Sequence, residues 1–415
     1  MIHELTNTEL YEMMNSYLPI RTNEKNKYGE VLTPPKLIEE IINHFPETVW
    51  SDPYLTWIDP TCGTGNFIIM VYMKLMSGLA SWIPDPKQRS KHIIENMLYM
   101  VELNDRNANV VKKIFGPNAN IIEGDFLTCN SFNKKGFDMI VGNPPFQDDV
   151  LSGIGGIKRR SSGKNKLYER IILRCLQLLN RNGWIAFITP DNLFSGGSKT
   201  YLKLIQNNIT LISFHKTIQS FFPKIQQYMC YFVMNMEESS VTKIFGNHGE
   251  EFECSLTNRP LNPVRNWTNY TEELMNKYVS LKRNGSVYNR GKPTSQYNQL
   301  NGEYTLIYKP SEKIFANTVE LAIGYGIKKI AVFLISPDLK FESDFDGKYG
   351  IGPNIIYIPL KNKEEGNILE TFLKSNIYKT LALSTKTNRQ FLKIKLIEHL
   401  HLDQIVQDIH YKPKK

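Results

Sequence analysis

What constrains this chain most is a regular alternation that runs from residue 54 to residue 236. Short apolar runs at 54–59, 97–102, 120–123, 137–141, 184–189, 209–214 and 229–234 are separated by stretches with apolar residues at helical spacing. The segments 66–76, 104–115 and 166–180 predict helices, the last placing Ile171, Ile172, Cys175, Leu178 and Leu179 on one side. Strands that are apolar nearly throughout must be covered on both faces. The expectation is therefore a doubly wound α/β sheet. Only 14 residues, 215–228, separate the last two runs, too few for a comfortable helical crossover, so the last strand should enter antiparallel.

At 415 residues the chain suits two domains. After residue 237 the alternation gives way to charged and Asn-rich stretches with isolated strands at 329–335 and 355–358 and a helix at 366–375. The expected division is 1–240 and 241–415, the second part a mixed α+β domain. The formal charge is +9, and residues 241–415 hold 25 Lys/Arg against 18 Asp/Glu, so most of the surplus lies there. That balance suits an anionic partner but also an ordinary solvated surface. No apolar run reaches bilayer length, and the polar first 17 residues do not read as a leader, so no membrane is expected and the location should be intracellular. The five cysteines are scattered, with no Cys-x-x-Cys pair and no histidine cluster beside them. Free thiols in a reducing compartment and no metal site are expected.

Three successive strand ends carry residues suited to one ligand. Asp59-Pro60-Thr61-Cys62-Gly63-Thr64-Gly65 lies between a strand and a helix, where Gly63 and Gly65 let main-chain N–H groups approach a ligand closely. Glu102 ends the next strand, where a carboxylate can accept from both hydroxyls of a ribose. Asp125 follows the third and can accept from an adenine amino group, with Phe126 against the ring. Any one of these acids alone would be an ordinary strand-end carboxylate; three in sequence order suggest an adenosine site. The stretch 78–96 reads as an insertion between the glycine turn and Glu102.

The fourth strand ends in Asn143-Pro144-Pro145-Phe146. The side-chain oxygen of Asn143 and the carbonyl of Pro144 can each accept one N–H of an exocyclic amino group. Held this way the nitrogen pyramidalises, and its lone pair becomes available to an electrophile. Pro144 stiffens the turn so that its own carbonyl is aimed inward, and Phe146 offers a face to a flat base. Such chemistry needs positioning and hydrogen-bond preorganisation rather than a strong base.

With these residues in order, the chain resembles the gamma-class N6-adenine DNA methyltransferases of restriction-modification systems. The resemblance implies a class I methyltransferase fold, S-adenosyl-L-methionine as cofactor, double-stranded DNA as substrate, base flipping, and a C-terminal target-recognition domain. It also admits a separately encoded restriction endonuclease as partner. Lys27 to Pro35 looks like the family's N-terminal Thr-Pro motif, with Glu30 where Gln is commoner. By that resemblance Tyr28, Thr33, Thr61 and Asn143 border the cofactor and Asp59 lies near its ammonium end. Phe222 in Phe222-Pro223 would stack on the target base opposite Phe146, with Phe221 as rival; either ring can equally be a core residue. Lys158, Arg159 and Arg160 in a glycine-rich loop, and Lys386, Arg389, Lys393 and Lys395 near the C-terminus, are candidate phosphate contacts or an exposed basic face. A protein-glutamine methyltransferase, an RNA amino-methyltransferase and a catalytically inactive DNA-binding relative stay open as alternatives.

Overall fold

The computed structural model describes residues 2–17, 32–132, 136–146, 166–195, 199–223, 225, 227–237, 241–259, 261–284, 287–289, 296–298, 300–335, 339–385 and 394–410. The chain divides into two compact units, Met1–Gly249 with Glu253–Ser255 and Glu250–Phe252 with Leu256–Lys415.

The first unit is built on one sheet of nine strands: β1 (Trp57–Asp59), β2 (Leu98–Glu102), β3 (Asn120–Glu123), β4 (Phe137–Gly142), β5 (Leu179–Pro190), β6 (Asn208–Ser213), β7 (Met229–Asn235), β8 (Thr242–Phe245) and β9 (Glu251–Cys254). Their spatial order is β3-β2-β1-β4-β5-β7-β6-β8-β9. The strands from β3 to β5 pair in parallel, and β7 slots between β5 and β6 antiparallel to both. That is the antiparallel last strand expected from the short 215–228 link.

Helices cover both faces, as the apolar strands require. Every residue of β1 and β7 is buried. In chain order the helices are α1 (Asn7–Tyr17), α2 (Pro35–Ile42), α3 (Asn66–Gly78), α4 (Pro86–His92), α5 (Asp105–Phe115), α6 (Leu167–Leu178), α7 (Lys199–Leu204) and α8 (Lys216–Ser220). Pro35 starts α2, where the missing N–H costs nothing, and Leu37, Ile38, Ile41 and Ile42 form its buried stripe. Asn104 caps α5 by accepting from Arg106 N, and Gly116 at φ +89° ends it. The insertion at 78–96 forms α4 and a π-turn, Ile93–Met97, that leads straight into β2.

Three boundaries differ from the sequence reading. β1 starts at Trp57 because Tyr54 sits in a turn, 78% exposed, its N–H donating to Asp52. α6 stops at Leu178 because β5 begins one residue later and runs for 12 residues. β8 lies beyond the division expected at residue 240: it pairs in parallel with β6, so the first sheet runs on and the chain changes unit within 250–256. A four-residue strand of alternating pattern carries too weak a signal to have been read there.

The second unit is mixed α+β. One sheet has the order β10 (Val287–Asn289), β16 (Ile355–Pro359), β13 (Lys329–Phe333), β14 (Phe341–Asp344), and a smaller one the order β12 (Glu312–Ala316), β11 (Tyr304–Lys309), β15 (Gly350–Ile351). Helices α9 (Asn269–Tyr278), α10 (Lys363–Lys374), α11 (Asn376–Ser384), α12 (Ile394–Glu398) and α13 (Leu402–His410) complete it. Inside lies an ion pair that the sequence did not announce. Lys329, with its side chain fully buried, reaches Asp344 at 2.6 Å, and Asp344 also accepts from the main-chain N–H of Lys348 and Tyr349. Among the described residues no helix is long and apolar enough to cross a membrane.

Candidate active site

The carboxyl ends of β1, β2, β3 and β4 open on one cavity, where ligands of open parallel sheets bind. It contains about 900 Å³ of empty space, open mouth included. Thr33, Asp59, Thr61, Gly63, Glu102, Asp125, Phe126, Asn143 and Pro145 all line it. Residues far apart in the chain thus meet because four parallel strands end side by side.

The glycine turn is held by side chains of the same site. Gly63 and Gly65 lie in the left-handed region at φ +55° and +90°. Glu102 braces the turn: its Oε2 accepts from Gly63 N at 2.7 Å and its Oε1 from Asn104 N at 2.7 Å. These two bonds hold the carboxylate at the cavity wall. Gly65 was expected at the cofactor, but it does not line the cavity. A Cβ there would meet Val111 of α5 at 3.4 Å, so this glycine serves the packing of the turn against the helix.

Asp59 is 1% exposed, and its Oδ1 accepts from Thr61 N at 2.9 Å. Burial pushes its carboxyl up to about 8, and the nearby Glu102 adds to the rise, while the Thr61 hydrogen bond opposes it. Burial, with Glu102 and Asp59 close by, keeps Cys62 a thiol. Gly142, just before the Asn-Pro-Pro motif, has φ +157°, and a Cβ there would lie 2.7 Å from Asp59 Oδ1. Only glycine lets the end of β4 come this close to Asp59. The adjacent motif distracted from that residue in the sequence.

Asn143 is oriented from the N-terminal segment. Its Nδ2 donates to Thr33 Oγ1 at 3.0 Å, and the Thr33 carbonyl accepts from Asn66 Nδ2 at 3.0 Å. Phe146 is half-buried and meets Tyr168 of α6 edge-on, with ring centroids 6.4 Å apart. Phe126 is 3% exposed, and the Arg174 guanidinium of α6 lies 5.1 Å from its ring centre. Arg174 also donates to the carbonyls of Leu127 and Cys129, which fastens the loop after Asp125. Asp125 spends one hydrogen bond on its own turn, accepting from Leu127 N.

Phe222 is corrected by its surroundings. It is 2% exposed and belongs to the main core cluster of the first unit, and Phe221 packs half-buried on the same cluster. A ring so enclosed presents no face to a flat base without leaving the core, so a stacking role does not fit this placement. Pro144 is buried. Tyr28, Lys158, Arg159, Arg160, Lys386, Arg389 and Lys393 fall outside the described residues, whereas Lys395 is exposed on α12. The sequence reading missed Leu32, Leu103, Leu167 and Ile171 in the wall, and it assigned no role to Asn66 and Phe67, which follow the glycine turn. Leu103 carried a usable signal, since it directly follows the strand-end acid, and it is 44% exposed. Among the described residues no group of His, Cys, Asp and Glu is arranged to hold a metal.

Comparison with known proteins fits this geometry. Residues 72–222 match the model of the Eco57I restriction-modification methylase family. An uncharacterized adenine-specific methylase of Mycoplasma pneumoniae is 25% identical over 60% of this chain and 77% of its own length. Modification methylase CviBIII of Paramecium bursaria Chlorella virus NC1A is 29% identical, but over 49% of each chain, so about half of the viral enzyme's length is spanned. A release factor glutamine methyltransferase of Clostridium botulinum also matches, at 27% identity over 38% of this chain and 54% of its own. Among solved structures, the Type IIL restriction-modification enzyme MmeI, in complex with DNA, superposes with a TM-score of 0.52 at 13% identity, over 94% of this chain and 70% of that one. With a sheet in which β7 runs antiparallel between β5 and β6, the first unit has the class I methyltransferase fold, and within it residues 72–222 are similar to the Eco57I restriction-modification methylases.

Proposed function

We propose that this chain is a site-specific DNA methyltransferase that moves the methyl group of S-adenosyl-L-methionine to N6 of adenine in double-stranded DNA. The observation that carries the reading is the meeting of Asn143 with Asp59, Glu102 and Asp125 in one cavity. The residues suit the cofactor. Glu102, held at the cavity wall by two main-chain N–H groups, is the carboxylate suited to the ribose hydroxyls, and Phe126 and Leu103 supply apolar surface for the adenine. Asp59, costly as a buried anion, is suited to a cationic amino group that would restore its charge. When bound, the cofactor supplies a methyl group on a sulfonium, which is electrophilic without further activation.

Asn143 then acts on the acceptor. Its side-chain oxygen and the Pro144 carbonyl accept the two amino N–H groups and turn the nitrogen lone pair toward the methyl. Phe146 lies against the base. After transfer the nitrogen carries an extra proton and loses it to water. Reaching that nitrogen in a duplex requires unstacking the base, at a cost of a few kcal/mol that other contacts must offset. The second unit, with its surplus of basic residues, is the candidate for those contacts and for target recognition. Acting on DNA, the enzyme would work inside the cell, with or without a separately encoded endonuclease.

The match to a release factor glutamine methyltransferase keeps one rival, because an Asn-Pro-Pro turn also suits a glutamine amide. One experiment separates the two. DNA from a methylation-deficient host expressing the protein is divided, one portion being digested to nucleosides to identify the modified base and the other sequenced intact to locate it. N6-methyladenine within one recurring sequence is expected. N4-methylcytosine would move the acceptor base, and unmodified DNA beside a methylated release factor would overturn the DNA reading.

A further inference from the structure

One contact at the site joins three distant segments and serves none of the steps above. Thr33 is 3% exposed, and it lies in the segment that leads into α2. Its main-chain carbonyl accepts from Asn66 Nδ2 at 3.0 Å, and its hydroxyl oxygen accepts from Asn143 Nδ2 at 3.0 Å. Asn66 is the first residue of α3, directly after the glycine turn; it is 4% exposed and accepts from Thr64 Oγ1 through its own Oδ1 at 3.3 Å. The turn thus fixes Asn66, Asn66 fixes the Thr33 backbone, and Thr33 fixes the Asn143 amide.

An amide side chain has two nearly isosteric ends of opposite character, and only one can serve the proposed chemistry. If Nδ2 faced the acceptor, two donors would oppose each other and the acceptor nitrogen would not be activated. Asn143 can rotate its amide, since the terminal torsion of asparagine is broad. Something must therefore hold Nδ2 away from the acceptor. Resting on the functional reading above, we propose that Thr33 is a positioning residue for Asn143: its hydroxyl accepts from Nδ2 at 3.0 Å, the amide orientation that leaves Oδ1 for the amino group to be methylated. The anchoring of Thr33 by Asn66 means that this orientation is set by the glycine turn after the neighbouring strand β1. Building the hydrogen-bond acceptor into a preorganised site is worth more than supplying it at the moment of reaction.

The test compares wild type, Thr33→Val and Thr33→Ser. Valine keeps the shape and removes the hydroxyl; serine keeps the hydroxyl and removes a methyl. Transfer to bulk unmethylated DNA is followed under saturating cofactor, and cofactor affinity is measured separately by calorimetry. Expected for Thr33→Val is roughly a 10–100-fold drop in kcat with the cofactor Kd within about threefold of wild type, and for Thr33→Ser recovery to within about threefold. A second readout needs no DNA. With asparagine selectively labelled with ¹⁵N, the side-chain amide signal of Asn143, assigned by its absence from Asn143→Asp, should shift in Thr33→Val and stay in place in Thr33→Ser. An unchanged amide signal in Thr33→Val overturns the proposal, as does a valine variant with full kcat, or serine failing as badly as valine. Should wild type methylate no DNA at all, the functional reading falls, whereas the amide signal still decides whether Thr33 orients Asn143.

Discussion

Replacing Asp59 with asparagine should stabilise the protein without cofactor, by an amount that grows with pH. The folded carboxyl sits at about 8, held there first by burial and then by Glu102, whereas an unfolded aspartate titrates near 4. Between those values the folded state holds a proton that the unfolded chain releases. Stability from this group is therefore complete below about pH 4, falls as pH rises, and levels off above about pH 8. At about 1.4 kcal/mol per pH unit the loss is roughly 2.7 kcal/mol between pH 5 and pH 7. The amide of the Asp59→Asn variant cannot titrate, so the variant escapes that loss. It can keep the bond from Thr61 N through its side-chain oxygen, though its amide N–H groups bring a pH-independent cost of about 1–3 kcal/mol if they stay unsatisfied. The slope, rather than the offset, is diagnostic. Urea unfolding of both proteins at pH 5, 6, 7 and 8 should show the stability difference moving steadily in favour of Asp59→Asn. Parallel curves across that range would refute the argument. The companion measurement is cofactor binding near pH 7 in buffers of different ionisation enthalpy. Wild type should release close to one proton on binding S-adenosyl-L-methionine as Asp59 ionises beside the ammonium, whereas 5′-methylthioadenosine, which lacks the amino acid, should release none.

Three further outcomes follow from the packing. Phe222→Ala should lower stability by about 3–5 kcal/mol, as loss of a buried ring does, whereas Phe146→Ala, removing a half-buried ring at the edge of the same cluster, should cost less stability and reduce transfer more; the opposite split by calorimetry and activity would return Phe222 to the base. Asp344→Ala strands the buried Lys329 ammonium and should cost about 3–5 kcal/mol, while Lys329→Met with Asp344→Leu should recover only the part due to the stranded charge, because the Lys348 and Tyr349 N–H groups still lose their acceptor; denaturant curves for the single and double variants decide this. Arg174→Ala frees the loop after Asp125 and uncovers Phe126, so cofactor affinity should fall about tenfold; an unchanged Kd by calorimetry would confine Arg174 to a role in stability.

The sequence alone determined the layered sheet, because burial on both faces leaves near-continuous apolar strands and the 215–228 link is too short for a crossover. It also placed Asp59, Gly63, Glu102, Asp125 and Asn143 at successive strand ends, and parallel strands of one sheet bring such ends together whatever the loops do. Local pattern could not decide anything that depends on who faces whom. Phe222 beside a proline reads the same whether its ring meets a base or the core, and only its neighbours put it in the core. Lys329 and Asp344 read as surface charges until two strands bury them as a pair. Gly142 matters because Asp59 lies 2.7 Å from where its Cβ would be, and Thr33 because its hydroxyl meets an amide 110 residues away. Periodicity reports which way each side chain of a strand or helix points. The partner it finds there is a property of the assembled chain.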